Sequence, residues 1–456
     1  MELGEPRDQP ASKRPRPGLA DLARPANSFH KLMRRELSRQ GNLQLKRNTA
    51  KEKFRHLALC HQFDPYQDVP SFPLGFLRRR SKITEIVAAE GVIFALAHSG
   101  VCAAYERRTN KLICYLNSGE DEVVRSLFYN KNNHSIITVS VYAHENYSSL
   151  KCRSTPIAAI LARDFQDKGI PLFQTESLRW PGFVEFDDVN GKVLTFNAQA
   201  KIYKVFDLKN YRELYQITDK NVQEIKISPG IMLLIFNSVA EGKEVPLQIR
   251  SIEDGKVLRT FSHEIAPSLK IDFIEQFNEK LLVKQENTNL KIRDVRTEGQ
   301  VVVPVSQFIT PSAFIFLYEN QLFLTFRKGN VEVWDFRGNL VTTFEDHMLW
   351  HNDCNTNNIY ITSEQDVIIS YCKATNASTE AAAAGSINIS NILTGHSIAK
   401  LTKESDGTVN ALTNVTALFY DEEHNEIYTG NKDGYVHIWA NGGGAVGGLD
   451  GDGAAK

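Results

Sequence analysis

The residues best equipped for chemistry in this chain stand apart from one another. His56, Cys60 and His61 form the closest grouping of soft ligands. A structural zinc needs four such ligands at compatible spacing, and no second cluster lies near these three, so no metal site is expected. Gly442-Gly443-Gly444-Ala445-Val446-Gly447 matches a dinucleotide glycine fingerprint letter for letter and follows a strand-like run. No helix or further strand comes after it to present a helix N-terminus to a phosphate, so it reads as a flexible tail. Asp450-Gly451-Asp452-Gly453 is too short for a calcium loop, which spans about twelve residues and ends in an acidic ligand. Nucleophile-elbow, zincin and kinase signatures are missing as well. The sequence predicts no catalytic residue and no cofactor, and the chain reads as a non-enzyme.

What the sequence does repeat is a structural unit. Phe314 to Tyr318, Leu322 to Phe326, Val331 to Trp334 and Leu340 to Phe344 are apolar-rich runs of about five residues. They are broken at Asn320, Gly329-Asn330 and Gly338-Asn339, which makes each neighbouring pair a hairpin. Positions equivalent to Trp334 recur at Tyr105, Arg153, Phe206, Arg250, Arg293, Ser390 and Trp439, at spacings of 41 to 56 residues. Self-similarity at this period predicts an all-β propeller of four-stranded blades, eight by this count with seven as the alternative. The copies at Arg153 and Ser390 carry long insertions, around His144 to Ser149 and Thr375 to Ala384.

The last copy, Val415 to Phe419, Glu426 to Gly430 and Tyr435 to Trp439, has only three strands. An open ring would leave a bare sheet edge, so a fourth strand is expected from the N-terminal side. Phe72 to Phe76 is the best apolar run available for it. The predicted organisation is a basic, Pro-rich tail over 1–26, a helical basic arm over 27–70, the propeller over 71–441 and a Gly/Ala/Asp-rich tail over 442–456.

Through Trp334-Asp335, Tyr428-Thr429-Gly430, Asp433-Gly434 and Trp439, residues 70 to 441 resemble the WD40-repeat superfamily. The resemblance implies a buried hydrogen-bond set of His, turn Asp, Ser or Thr, and Trp in each blade. His263 and His347 hold His-like positions, Lys328 replaces the turn Asp beside Trp334, and no blade has all four. Blade packing must then rest mainly on apolar burial.

The formal net charge is −1, with 53 Lys plus Arg and 54 Asp plus Glu, but the charge is unevenly placed. Residues 1 to 80 hold 17 basic against 8 acidic side chains, leaving 36 against 46 for the rest. A basic arm is thus tethered to an acidic body. Lys13, Arg14 and Arg16 form one cluster; Arg34 and Arg35 followed by Lys46 and Arg47 resemble a bipartite nuclear import signal. Nuclear residence is expected, with the cytoplasm as a further location. Six scattered cysteines and a polar N-terminus without an apolar core predict reduced thiols and no secretion. No run approaches the roughly 18 apolar residues that span a bilayer, so no membrane partner is expected.

Asn27-Ser28 ahead of Phe29, Leu32, Met33 and Leu37 predicts one helix, and Thr49 to His61, with Phe54, Leu57 and His61 on one side, predicts a second. A helical element ahead of a propeller is similar to the layout of cullin-4 ubiquitin ligase substrate receptors. Trp334-Asp335-Phe336-Arg337 and, in weaker form, Arg293-Asp294-Val295-Arg296 resemble their Trp-Asp-x-Arg ending. The expected function is a nuclear scaffold that binds proteins. The alternatives are a cullin-4 receptor subunit and a nucleic-acid-associated protein binding through its arm. Candidate interaction residues are Arg293, Arg296, Trp334, Asp335, Arg337, Trp180 and Trp350.

Overall fold

The computed structural model describes residues 51–441 apart from 71, 164–168, 238–243, 267, 298, 328–329, 345–357, 373–384 and 403–410. Among the described residues, short strands form eight separate four-stranded antiparallel sheets, the blades of a β-propeller. The count of eight is borne out. Blades 1 to 7 span 83–115, 122–172, 183–217, 222–264, 271–303, 313–343 and 359–401, each with its strands a, b, c and d hydrogen-bonded in chain order. Blade 8 takes strands a to c from 415–441.

Burial follows position across a blade. Strand b lies between neighbouring blades on both faces, and Val92–Ala97 and Val367–Cys372 are buried at every residue. Such strands read as unbroken apolar runs because neither face meets water. Outermost strand d alternates or is largely exposed, as at Glu213–Ile217. Residues equivalent to Trp334 pair with the second residue of strand b in seven blades: Tyr105, Phe206, Arg250, Arg293, Trp334, Ser390 and Trp439. In blade 2 that place belongs to Thr155, opposite Ile136, and not to Arg153. Arg153 instead turns inward, where its Nη2 donates to the Leu116 carbonyl at 2.6 Å and to the buried Glu122 carboxylate at 3.3 Å. A buried carboxylate needs such partners, and Ser118 and Ser140 supply further hydrogen bonds to it.

The ring closes differently from the sequence expectation. Leu57–Phe63 is the fourth strand of blade 8, pairing antiparallel with Val436–Asn441, while Phe72 packs as a buried loop residue. Among the described residues helix covers 51–55 here, so the predicted helix to His61 ends at the strand. Phe54 packs on Tyr420, Phe63 stacks on Tyr105 of blade 1 with ring centroids 4.3 Å apart, and Lys53 O accepts from Asn425 and Asn441. Arg107 and Glu426 add a bidentate ion pair across the same seam at 2.9 and 2.7 Å.

Turn-to-turn contacts join most blades on the face carrying the a–b turns. Tyr129 donates to Glu90, Asn130 to the Leu208 carbonyl, Asn190 to the Ser228 carbonyl, Asn320 to the Gln365 carbonyl and Ser363 to Glu422. Blades 5 and 6 meet through rings instead, with Phe277 stacked on Phe336 at 4.6 Å and on Tyr318 at 4.8 Å. Of the four-residue hydrogen-bond set, blade 8 holds the contact of Trp439 Nε1 with Thr429 Oγ1 at 3.0 Å. In blade 6, Trp334 Nε1 turns to Glu332.

Two stability predictions arise here. A Cβ on Gly430 would stand 2.5 Å from Cβ and Cγ2 of Ile83, a fully buried residue of blade 1. Gly430→Ala is expected to cost about 1–3 kcal/mol by overpacking the closing seam, measurable as a lower urea midpoint. The second concerns His263 and His437, both buried and both held down at about 4, His263 by burial and then by Lys291 and Arg293, His437 by burial. Their folded values lie below the unfolded value of roughly 6.5, so the stability they contribute is complete above that pH and is lost as pH falls toward 4. The loss at pH 5 is on the order of 2 kcal/mol for each, and His437→Phe should flatten part of the slope in urea unfolding against pH.

Candidate protein-binding face

Strand direction alternates within a blade, so b–c turns and d–a connections emerge on one face and a–b and c–d turns on the other. On the first face, at the inner rim, a cleft of about 340 Å³ lies between the 70–82 connection, the b–c turn of blade 1 and strand a of blade 2. Phe76, Arg79, Arg80, Ser81, His98, Ser99, Val123 and Arg125 line it.

Each cation has a structural reason to be there. Strand a of blade 2 shifts register between Val124 and Ser126, leaving Arg125 as the unpaired bulge residue, exposed on the innermost strand. Bulges re-aim a side chain in this way. Thr84, Gln223, Asp272 and Thr416 sit at the matching shifts of blades 1, 4, 5 and 8, so only blade 2 places a cation there among these five. Arg79 and Lys82 are exposed on the connection leading into blade 1. That connection is pinned from beneath: Tyr66 Oη lies 2.9 Å from Ser81 Oγ and 2.8 Å from Ser99 Oγ, and Ser99 N donates to Ser81 Oγ at 2.8 Å. Gly434 permits the approach, with φ +80° and a Cβ position only 2.6 Å from the Ser81 carbonyl.

Arg80 is neutralised, forked onto Asp64 at 2.9 and 2.8 Å and stacked 4.5 Å over Tyr435. Arg79, Lys82 and Arg125 make no side-chain hydrogen bond or ion pair among the described residues. Burial, then Lys82 and Arg125, push His98 below its ordinary value. The nearby Glu85 carboxylate is turned to Ser126 Oγ and the Leu127 amide.

An aromatic strip continues from the cleft. Phe76 and Tyr147, 43% and 40% exposed, meet with centroids 6.4 Å apart. Trp180 N donates to the Ser148 carbonyl at 3.0 Å, drawing the 79%-exposed Trp180 to the turn that carries Tyr147. Large exposed rings beside unpaired guanidinium groups have the composition of interface anchors.

A family model matches residues 42–439, from before the closing strand to the last Trp. The chain belongs to the family described as Domain of unknown function (DUF7899). The DUF7899 match takes in Leu57–Phe63, in keeping with that strand's place in the ring. No curated protein matches the chain. Solved structures similar to it include the computationally designed Ika8 protein, 18% identical over 79% of this chain and 97% of that one, with a TM-score of 0.47. BamB from Moraxella catarrhalis is 12% identical over 84% and 99% of the two chains, with a TM-score of 0.43.

The structure separates the interaction residues expected from sequence. Trp334 is 3% exposed, edge-on to Phe308, and packs in the core. Asp335 Oδ1 caps the c–d turn by accepting from the Arg337 and Asn339 amides, leaving the Arg337 side chain exposed on the opposite face. Arg293 stacks on Phe261 and donates to the Ser262 carbonyl, and Arg296 pairs with Glu279 at 2.5 Å. Among the described candidates, Trp180 joins the cleft face. Trp350, His347, Lys328 and the targeting residues Lys13, Arg14, Arg16, Arg34, Arg35, Lys46 and Arg47 lie outside the described residues. The run Arg78-Arg79-Arg80 is visible in the sequence, but it merges there with the charge of the basic arm.

Proposed function

We propose that this chain is a nuclear, non-enzymatic WD40-type scaffold that holds a protein partner on the cleft face. The observation that carries this reading is the gathering of Arg79, Lys82 and Arg125 with Phe76, Tyr147 and Trp180 on one face of a rigid ring. Propellers commonly present partners with such a face, and a few aromatic and Arg anchors supply most of the binding energy. The near-neutral overall charge leaves this local field as the feature a partner would sense.

The test is affinity purification from nuclear extract after nuclease treatment, with the captured protein then purified and rebound. Four chains are compared: the full chain, a chain lacking 1–48, Arg79→Glu with Arg125→Glu, and Lys209→Glu with Arg212→Glu on the opposite face. A stoichiometric protein partner lost only with the cleft reversal is expected. Recovery of nucleic acid alone, or a partner indifferent to the cleft, would overturn the reading. Nuclear residence is tested by replacing Arg34, Arg35, Lys46 and Arg47 with Ala; an unchanged nuclear signal contradicts it.

The exposed Arg337 in Trp-Asp-Phe-Arg favours a second reading, that the opposite face docks a cullin-4 adaptor. Arg337→Ala would then abolish binding of the purified adaptor, while both double reversals leave it intact.

A further inference from the structure

We propose that the cleft receives a phosphorylated side chain of a linear peptide, whose neighbouring apolar residue lies on the strip formed by Phe76, Tyr147 and Trp180. This inference rests on the scaffold reading and names the partner's chemistry.

Arg79 and Arg125, which have no ion-pair partner among the described residues, line one small cleft and repel one another in the free protein, and an anion relieves that repulsion. The guanidinium groups of Arg79 and Arg125 present forks of donors suited to phosphate, and Lys82 is exposed on the connection that carries Arg79. A phosphoryl group brings close to two charges and three acceptor oxygens, which answers two guanidinium forks better than the two oxygens of one carboxylate. Ser81 and Ser99 do not compete for it, because their hydroxyls are engaged with Tyr66. Asp64 is already forked by Arg80, so that carboxylate does not neutralise the site.

The surroundings select a peptide over a nucleic acid. The positive charge has acidic neighbours: Glu120 and Asp121 lie on the d–a connection of the same face, as does Asp68 beyond the closing strand. A continuous phosphate backbone would have to cross them, and its affinity depends on a track of cations. A peptide carries one concentrated charge flanked by neutral residues, and the exposed aromatic strip gives those residues a surface to bury.

The experiment measures fluorescence polarisation of the full chain with a fluorescein-labelled peptide pool that has a fixed central phosphoserine and degenerate flanks. The unphosphorylated pool, inorganic phosphate as competitor and a labelled dT oligonucleotide are run beside it. The phosphorylated pool is expected to bind at least about tenfold more tightly than its counterpart, since hydrogen bonds to charged groups are worth about 1.5–3 kcal/mol each. Arg79→Glu with Arg125→Glu should abolish the difference, Trp180→Ala should weaken binding several-fold, and Lys209→Glu with Arg212→Glu should leave it unchanged. Circular dichroism confirms that each variant is folded. Equal binding of the two pools, no binding of either, or tighter binding of the oligonucleotide overturns the proposal. If a rebound protein partner still depends on the cleft while the pools bind equally, the phosphate inference fails and the scaffold reading stands.

Discussion

A chain that begins at residue 65 is expected to lose its folded ring, whereas one that begins at residue 49 keeps it. The longer truncation removes Phe54, Leu57 and Phe63, all buried, together with the whole ladder to Val436–Asn441. Burial of three large apolar side chains and half a dozen net hydrogen bonds amounts to on the order of 10 kcal/mol. That is comparable with the entire stability of an ordinary domain. The loss also bares the edge of blade 8 and the face of blade 1 that Phe63 covers through Tyr105. An unpaired apolar edge is a template for association, so the shorter chain should aggregate on heating and bind a hydrophobic dye. Size-exclusion chromatography and thermal melts of the two chains decide it. Equal, monomeric melts would show that Leu57–Phe63 does not close the ring.

Trp334 and Trp180 should behave as opposites. Trp334→Ala is expected to cost about 3–5 kcal/mol, because the indole fills the space against Phe308 inside the blade 5 and 6 core. Trp180→Ala should stay within about 0.5 kcal/mol, since most of its surface faces water. Partner binding should reverse the order: Trp180→Ala weakens it, while any folded population of Trp334→Ala retains it. Urea unfolding, with amide exchange to locate the loosened blades, reads the first contrast, and binding titrations read the second.

The propeller was legible because strand c endings recur in register, and seven of eight markers fall at one structural position. Arg153 misled because blade 2 carries the helix Ile157–Leu161 between strands c and d, which hides the end of strand c, and because a half-buried Arg paired with the buried Glu122 stands two residues before the true position. Leu57–Phe63 escaped for a different reason. Its pairing shifts register between Leu59 and His61, which breaks the twofold alternation and leaves Phe54, Leu57 and His61 at a spacing that imitates a helix. Within seven residues the two periods cannot be told apart. The cleft was out of reach because Arg79, His98 and Arg125 belong to a connection, a turn and a bulge of successive units. Only the folding of blade 1 against blade 2 brings them together. Trp334 was the reverse case, a conspicuous residue whose conspicuousness comes from the core.

Binding on the cleft face is a statement about which side of the ring meets the partner. Photo-crosslinking places a benzophenone side chain at position 180, at position 76, or at position 212 on the opposite face, in the otherwise full-length chain, with mass spectrometry identifying what is captured. Crosslinks to one and the same protein from positions 180 and 76, lost on Arg79→Glu with Arg125→Glu and missing from position 212, are the expected result. Capture of that protein from position 212 alone would contradict it.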